Sequence, residues 1–170
     1  ELAVAPALMG LFYIYIKDKY EKEPIRLLII GAVCGIIATE IILVMGIKAN
    51  QYIYSSNEYI DNLITAFIKS AGIEEFVKFI TLYSLIWRNK NFNEPFDGIV
   101  YSVFISLGFA GLENVVYVFN PEIGGFETAL SRAFISVPCH GLFGIFMGYY
   151  LAESKFSKIN PKKTYKIILA

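Results

Sequence analysis

Residues 27–47 read LLIIGAVCGIIATEIILVMGI, twenty-one residues with a single charge, Glu40. A helix needs about 20 mostly apolar residues to cross ~30 Å of hydrocarbon. Working outward, four more apolar runs fall at 2–16 (short), 62–87, 97–119 and 126–151, and another begins at 164–170. Only helices or closed barrels span lipid, and these runs are too continuous for alternating barrel strands. The predicted fold class is all-α: a polytopic membrane helix bundle of about five to six transmembrane helices. No repeat, low-complexity stretch or second domain interrupts it, so residues 1–170 read as one membrane-embedded domain.

Composition agrees. Hydrophobic residues make up 56% of the 170, against about 45–50% in an average soluble domain. Mean hydropathy is +0.54. Fifteen basic residues balance fifteen acidic ones, which excludes nucleic acid as a natural partner. Cys34 and Cys139 both lie in apolar runs and read as free buried thiols. The chain starts without Met, already in an apolar stretch, and no small-residue cleavage site follows it. Tyr165 to Ala170 open a new apolar run. The expectation is a chain cut at both ends.

The connecting segments alternate in charge. Lys17, Lys19, Lys22, Arg26, Arg88, Lys90, Lys155, Lys158, Lys162, Lys163 and Lys166 fall on one side, and only Lys48 on the other. The positive-inside rule makes the first group cytoplasmic. The stretch 50–61 reads as an interfacial turn with Tyr52, Tyr54 and Tyr59 as headgroup anchors.

Against this background, Glu74, Glu75 and Lys78 in the third run, Glu113 in the fourth and His140 in the fifth stand out; His140 is the sole histidine. A charge at membrane depth costs roughly 2.5–3.5 kcal/mol even on lenient scales, so each is a site hypothesis by default. Glu74 and Glu75 reach Lys78 at helical spacings of four and three but point about 100° apart. One is expected to face a cavity while the other pairs. The plainer reading is a neutralised ion pair that holds a bundle together. Ser102, Ser106, Ala110, Glu113 and Tyr117 form one helical stripe, with Asp97 as helix N-cap and Asn114 able to bond across helices. Gly141, Gly144 and Gly148 invite a close neighbour, and Pro138 is expected to kink the helix beside His140.

At ~1.5 Å per residue, Glu75 lies roughly 18–20 Å from the outer face, Glu113 roughly 9 Å and His140 roughly 20 Å. Helix ends or kinks have to absorb the difference if they meet. Arg132 is expected to pair with Glu122 or Glu127, or to reach the headgroups, and Glu40 to pack or approach the cavity. Carboxylates with an imidazole bind zinc and activate water, or activate it without metal by general base catalysis. One histidine leaves the metal undecided.

KDKYEKEP (17–24), GIEEFVKF (72–79), EPFDGIVYSVFISLGFAGLENVVYV (94–118) and RAFISVPCHGLFGIFMGYYLA (132–152) resemble the PrsW family of bacterial intramembrane proteases, relatives of the CAAX prenyl endopeptidases and bacteriocin-processing membrane proteins. The resemblance runs from about residue 10 to 155. It implies an endopeptidase of the bacterial cytoplasmic membrane that cuts a single-span protein, such as an anti-sigma factor, on its extracytoplasmic side in a stress response. It implies Glu74, Glu75, Glu113 and His140 as the catalytic set; one of Glu74 and Glu75 is expected to be the general base, and the residues themselves add Lys78 and Asn114 in support. Glu113 is then expected as a ligand of a zinc ion or as the orienter of His140, and His140 as a ligand or as the group that stabilises the oxyanion, with Asn114 donating to the scissile carbonyl. The family's fourth motif, a second histidine followed by Gly and Asp, is expected after Ala170, so these 170 residues alone are expected to be inactive or poorly active. Two readings from other classes stand beside this: a proton-coupled transporter or channel, since Glu, Lys and His also build proton relays, and a noncatalytic scaffold or immunity-type protein that keeps the fold.

Overall fold

A computed structural model describes residues 1–19 and 21–157. The expected lysines beyond 157 and the run at 164–170 lie outside the described residues. Seven α-helices and two π-helical segments account for the regular structure, and no strand occurs among the described residues. They are α1 (Ala5–Lys17), α2 (Ile25–Tyr52), α3 (Glu58–Ile64), a π segment (Thr65–Gly72), α4 (Ile73–Ile86), α5 (Pro95–Val118), α6 (Phe126–Ser131), a second π segment (Arg132–Ser136) and α7 (Val137–Phe156). A helix thus stands at each of the five expected places. Three stretches are long and apolar enough to cross a membrane: Ile25–Tyr52, Pro95–Val118 and Phe126–Phe156. α1 is a shorter apolar helix.

The architecture is a bundle around α5, which packs against α7, α2, α1 and α4. From Val100 to Ala110 every residue of α5 is buried. α2 shows the opposite pattern. Its inward face is small (Gly31, Gly35, Ala38, with Leu28), whereas Ile29, Ile30, Val33, Ile37, Ile41 and Val44 face outward. In water such an apolar exterior would be a liability; in lipid it is the solvent-facing surface.

Small residues set the helix spacing. A Cβ on Gly148 would lie 2.2 Å from the carbonyl oxygen of Gly98, and one on Gly35 would lie 2.0 Å from that of Ile105. α7 and α2 therefore both touch the backbone of α5, as close-packed membrane helices with glycine at the contact do.

The lysine-rich end is tied by polar groups. Asp18 accepts from the Glu23 N–H (3.0 Å), and Tyr101 on α5 donates to Glu23. Lys155 on α7 donates to the carbonyls of Trp87 (3.3 Å) and Phe92 (2.7 Å), and so caps the C-terminal end of α4. Burial pushes the Glu23 carboxyl up to about 7, and Asp97 and Asp18 push it the same way, against the hydrogen bond from Tyr101.

Several local expectations change. The interfacial turn narrows to 53–57, because α2 runs on to Tyr52 and α3 starts at Glu58, capped by Asn57 Oδ1 on the N–H groups of Tyr59 and Ile60. Tyr52, Tyr54 and Tyr59 remain highly exposed. Asp97 is not the N-cap of α5. Glu94 is, Pro95 follows inside the first turn, and Asp97 reaches back to the N–H groups of Glu94 (2.7 Å) and Asn93 (2.9 Å). The disturbance expected at Pro138 is the π segment just before it. Proline cannot donate to the carbonyl four residues back and crowds it, and a wider turn relieves both. Cys34 is half-buried and Cys139 exposed, both as free thiols.

Candidate functional site

Lys78 lies at the centre of the site, and no part of its side chain reaches solvent. α4 carries it inward, on the same side as buried Val77 and Leu82, between α5 and α7. Its ammonium lies 2.8 Å from Glu75 Oε1, 3.8 Å from Glu74 Oε2 and 3.1 Å from His140 Nδ1. It also stands 3.9 Å from the centroid of the Phe109 ring, a cation–π contact from α5.

Lysine has donors only, so His140 Nδ1 must accept from it. The ring proton then sits on Nε2, which donates to Glu113 Oε2 at 3.1 Å. A neutral imidazole held in one tautomer by a carboxylate is the state in which histidine binds metal or takes a proton. Phe109 packs edge-on against the ring at 5.2 Å and fixes its plane.

Glu113 is held from a second side. Arg132, the first residue of the second π segment, places Nη2 2.5 Å from Glu113 Oε2 and Nε 2.8 Å from Asn114 Oδ1. Its guanidinium lies 4.1 Å from the Tyr117 ring centroid. Asn114 is fully buried and gives its remaining amide to the Ala3 carbonyl at 2.7 Å. Both ends of that carboxamide are engaged, which makes Asn114 a strut between α5, the N-terminal segment and Arg132. The expected partners of Arg132, Glu122 and Glu127, are replaced by Glu113 and Asn114. Sequence reasoning named Arg132 but missed its place in the site, although a signal existed. Arg132 opens the string that contains His140 and is the only lysine or arginine in the run 126–151.

The two neighbouring glutamates part as their spacing requires. Glu75 turns to Lys78. Glu74 accepts from Ser70 Oγ at 3.0 Å and faces a cleft of about 310 Å³ between α2, the first π segment and α5. Glu113 lines the same cleft. The depths that did not match by residue count are reconciled: His140 touches Glu113 directly and reaches Glu75 through Lys78. Each π segment directly precedes the helix that carries a site residue, α4 or α7, and wide turns gain less depth per residue than an α-helix does.

Carboxylate oxygens of Glu74 and Glu75 and a ring nitrogen of His140 all lie within 4.8 Å of one another. Two carboxylates and one imidazole fit the ligand chemistry of a catalytic zinc site, which uses three protein ligands and an open position. Glu113 stands behind this set, bound to the far nitrogen of His140, rather than within it.

Comparison with known proteins completes the description. Residues 23–170 match the family described as PrsW family intramembrane metalloprotease. A "Protease PrsW" from Geobacillus kaustophilus is 39% identical over 155 residues, covering 91% of this chain and 65% of its own length. The one from Oceanobacillus iheyensis is 42% identical over 161 residues, with 94% and 70% covered. The one from Clostridioides difficile is 36% identical over 174 residues, with 99% and 71% covered. The chain thus spans roughly two thirds of the length of these curated relatives. No solved structure matches it. With a family match across residues 23–170 and relatives 36–42% identical over more than nine tenths of its length, the chain belongs to the PrsW family of intramembrane metalloproteases.

Proposed function

We propose that the protein is an endopeptidase of the bacterial cytoplasmic membrane, a single membrane-embedded domain that hydrolyses one peptide bond of a single-span substrate of the anti-sigma-factor kind. The observation that carries this reading is His140. Its Nε2 is bound by Glu113 and its Nδ1 is directed at the Glu75–Lys78 pair, beside a cleft that Glu74 lines.

Glu74 is the general base, because it is the glutamate of the pair that reaches the cleft where water and substrate enter. Glu75 and His140 would hold a divalent ion beside that base, zinc being the one whose chemistry suits the donors, with Glu74 close enough to both to take a proton from water at the ion. Such an ion, when bound, supplies Lewis-acid polarisation and lowers the pKa of water. Glu113 fixes the His140 tautomer, and Arg132 fixes Glu113. Lys78 offsets part of the charge of Glu74 and Glu75 and donates to His140 Nδ1 while that nitrogen is free. The site lies toward the end of the bundle opposite the lysine-rich loops, which supports cleavage on the extracytoplasmic side.

The test is cleavage of a single-span substrate by the full-length protein in liposomes. Glu74→Gln, Glu75→Gln and His140→Ala should each lower the rate by about 10²-fold or more. Wild-type rates in all three would overturn the assignment. Proton flux without any proteolysis would overturn the function itself.

A further inference from the structure

Among the charged residues that line the cleft, one is used neither by the proposed chemistry nor by an ion pair. Lys69 pairs with Asp61 at 3.6 Å, Glu74 with Ser70 and Lys78, and Glu113 with Arg132 and His140. Glu40 lines the same cleft from α2, is exposed, and has no hydrogen-bond or ion-pair partner among the described residues. It is also the sole charge in the run 27–47. Ionisable residues inside a spanning helix normally face a protein interior or a water-filled cavity and pair there. Glu40 has the cavity but no partner.

We propose that Glu40 is a specificity residue, and that its partner is a lysine or arginine within the substrate's transmembrane segment as that segment lies along the cleft. A cation in a lone spanning helix and a carboxylate on α2 each face the same desolvation problem, and docking answers both at once. The pairing would also set register, because it fixes one substrate residue against α2 while Glu74 and Glu113 line the same cleft from α4 and α5. Leu43 and Phe109 supply the apolar lining around it. The inference rests on the proteolytic reading of the site.

The test uses full-length protein in liposomes and a series of single-span substrates in which lysine, leucine or glutamate is stepped through the transmembrane segment. At one register lysine should raise kcat/KM over leucine by about tenfold, chiefly through KM. Glu40→Gln should bring that ratio to about one, and Glu40→Lys should shift the preference to the glutamate substrate. The same series is measured as binding to the Glu74→Gln protein by fluorescence, where the lysine preference should appear in Kd and vanish on adding Glu40→Gln. No preference at any register, or a preference that survives Glu40→Gln, overturns the proposal while cleavage itself leaves the proteolytic reading intact. A Glu40-dependent binding preference with no cleavage by the wild-type protein overturns the proteolytic reading and leaves the pairing standing.

Discussion

Arg132 is the residue on which the site's rigidity depends. It holds Glu113 and Asn114 together while Glu113 holds His140. Removing one partner of a buried, hydrogen-bonded pair leaves a charge without compensation, at a cost on the order of 3 kcal/mol. Arg132→Leu should therefore lower thermal stability in detergent and cut cleavage sharply. Arg132→Lys should restore little of either, because one ammonium cannot reproduce the two-pronged contact to Glu113 and Asn114. Thermal melts and cleavage rates of the two variants check this together. At this scale much of the site was legible in the sequence. Glu74, Glu75, Lys78, Glu113 and His140 stand out because their surroundings are apolar. The split between Glu74 and Glu75 follows from helical geometry alone. Arg132 was not legible as a partner, because its bond to Glu113 depends on how the outer end of one helix lies across another, and Glu122 and Glu127 were nearer in sequence.

At the scale of elements, glycine contacts and π segments position the cluster. Gly148→Ala would bring a methyl into the Gly98 carbonyl, with no flexible side chain to yield. The α5–α7 contact must open, and overpacking of this kind costs about 1–3 kcal/mol. Gly46→Ala, where nothing lies near the added Cβ, should be close to neutral. Comparing the two unfolding midpoints separates a steric effect from a general loss of glycine. The close approach was readable as a stripe of small residues, but the partner helix was not, since the same stripe fits any neighbour. The π segments carry no compositional signature at all. Their wider hydrogen-bond spacing is a response to packing and, in the second, to Pro138. Deleting Ala71 should let the first π segment relax to an α-helix, leave helical content unchanged and turn Glu74 and Glu75 relative to His140. Cleavage should then fall by at least about tenfold, with circular dichroism preserved.

For the whole molecule, the two ends of the bundle behave differently. The lysine-rich end is locked by Asp18, Glu23, Asp97 and Tyr101, and Glu23 titrates at about 7 instead of its ordinary 4.5. A raised carboxyl pKa means that the fold prefers the proton. The stabilisation is full below about 4.5 and is lost as pH rises through about 7. Melting temperature should fall over that window, and Glu23→Gln should flatten the slope; an unchanged slope would show that Glu23 is not the group responsible. The opposite end holds the cleft and the Glu74, Glu75, Glu113 and His140 cluster. The proposed work of these residues is to add water to a peptide bond. The most direct measurement is digestion of a single-span substrate by full-length protein in ¹⁸O-labelled water, read by mass spectrometry of both products. The account predicts one new carboxyl terminus that carries a single ¹⁸O, at a bond in the outer part of the substrate's span, and loss of that product in Glu74→Gln and His140→Ala. An uncut substrate, or the same labelled product from both variants, would contradict it.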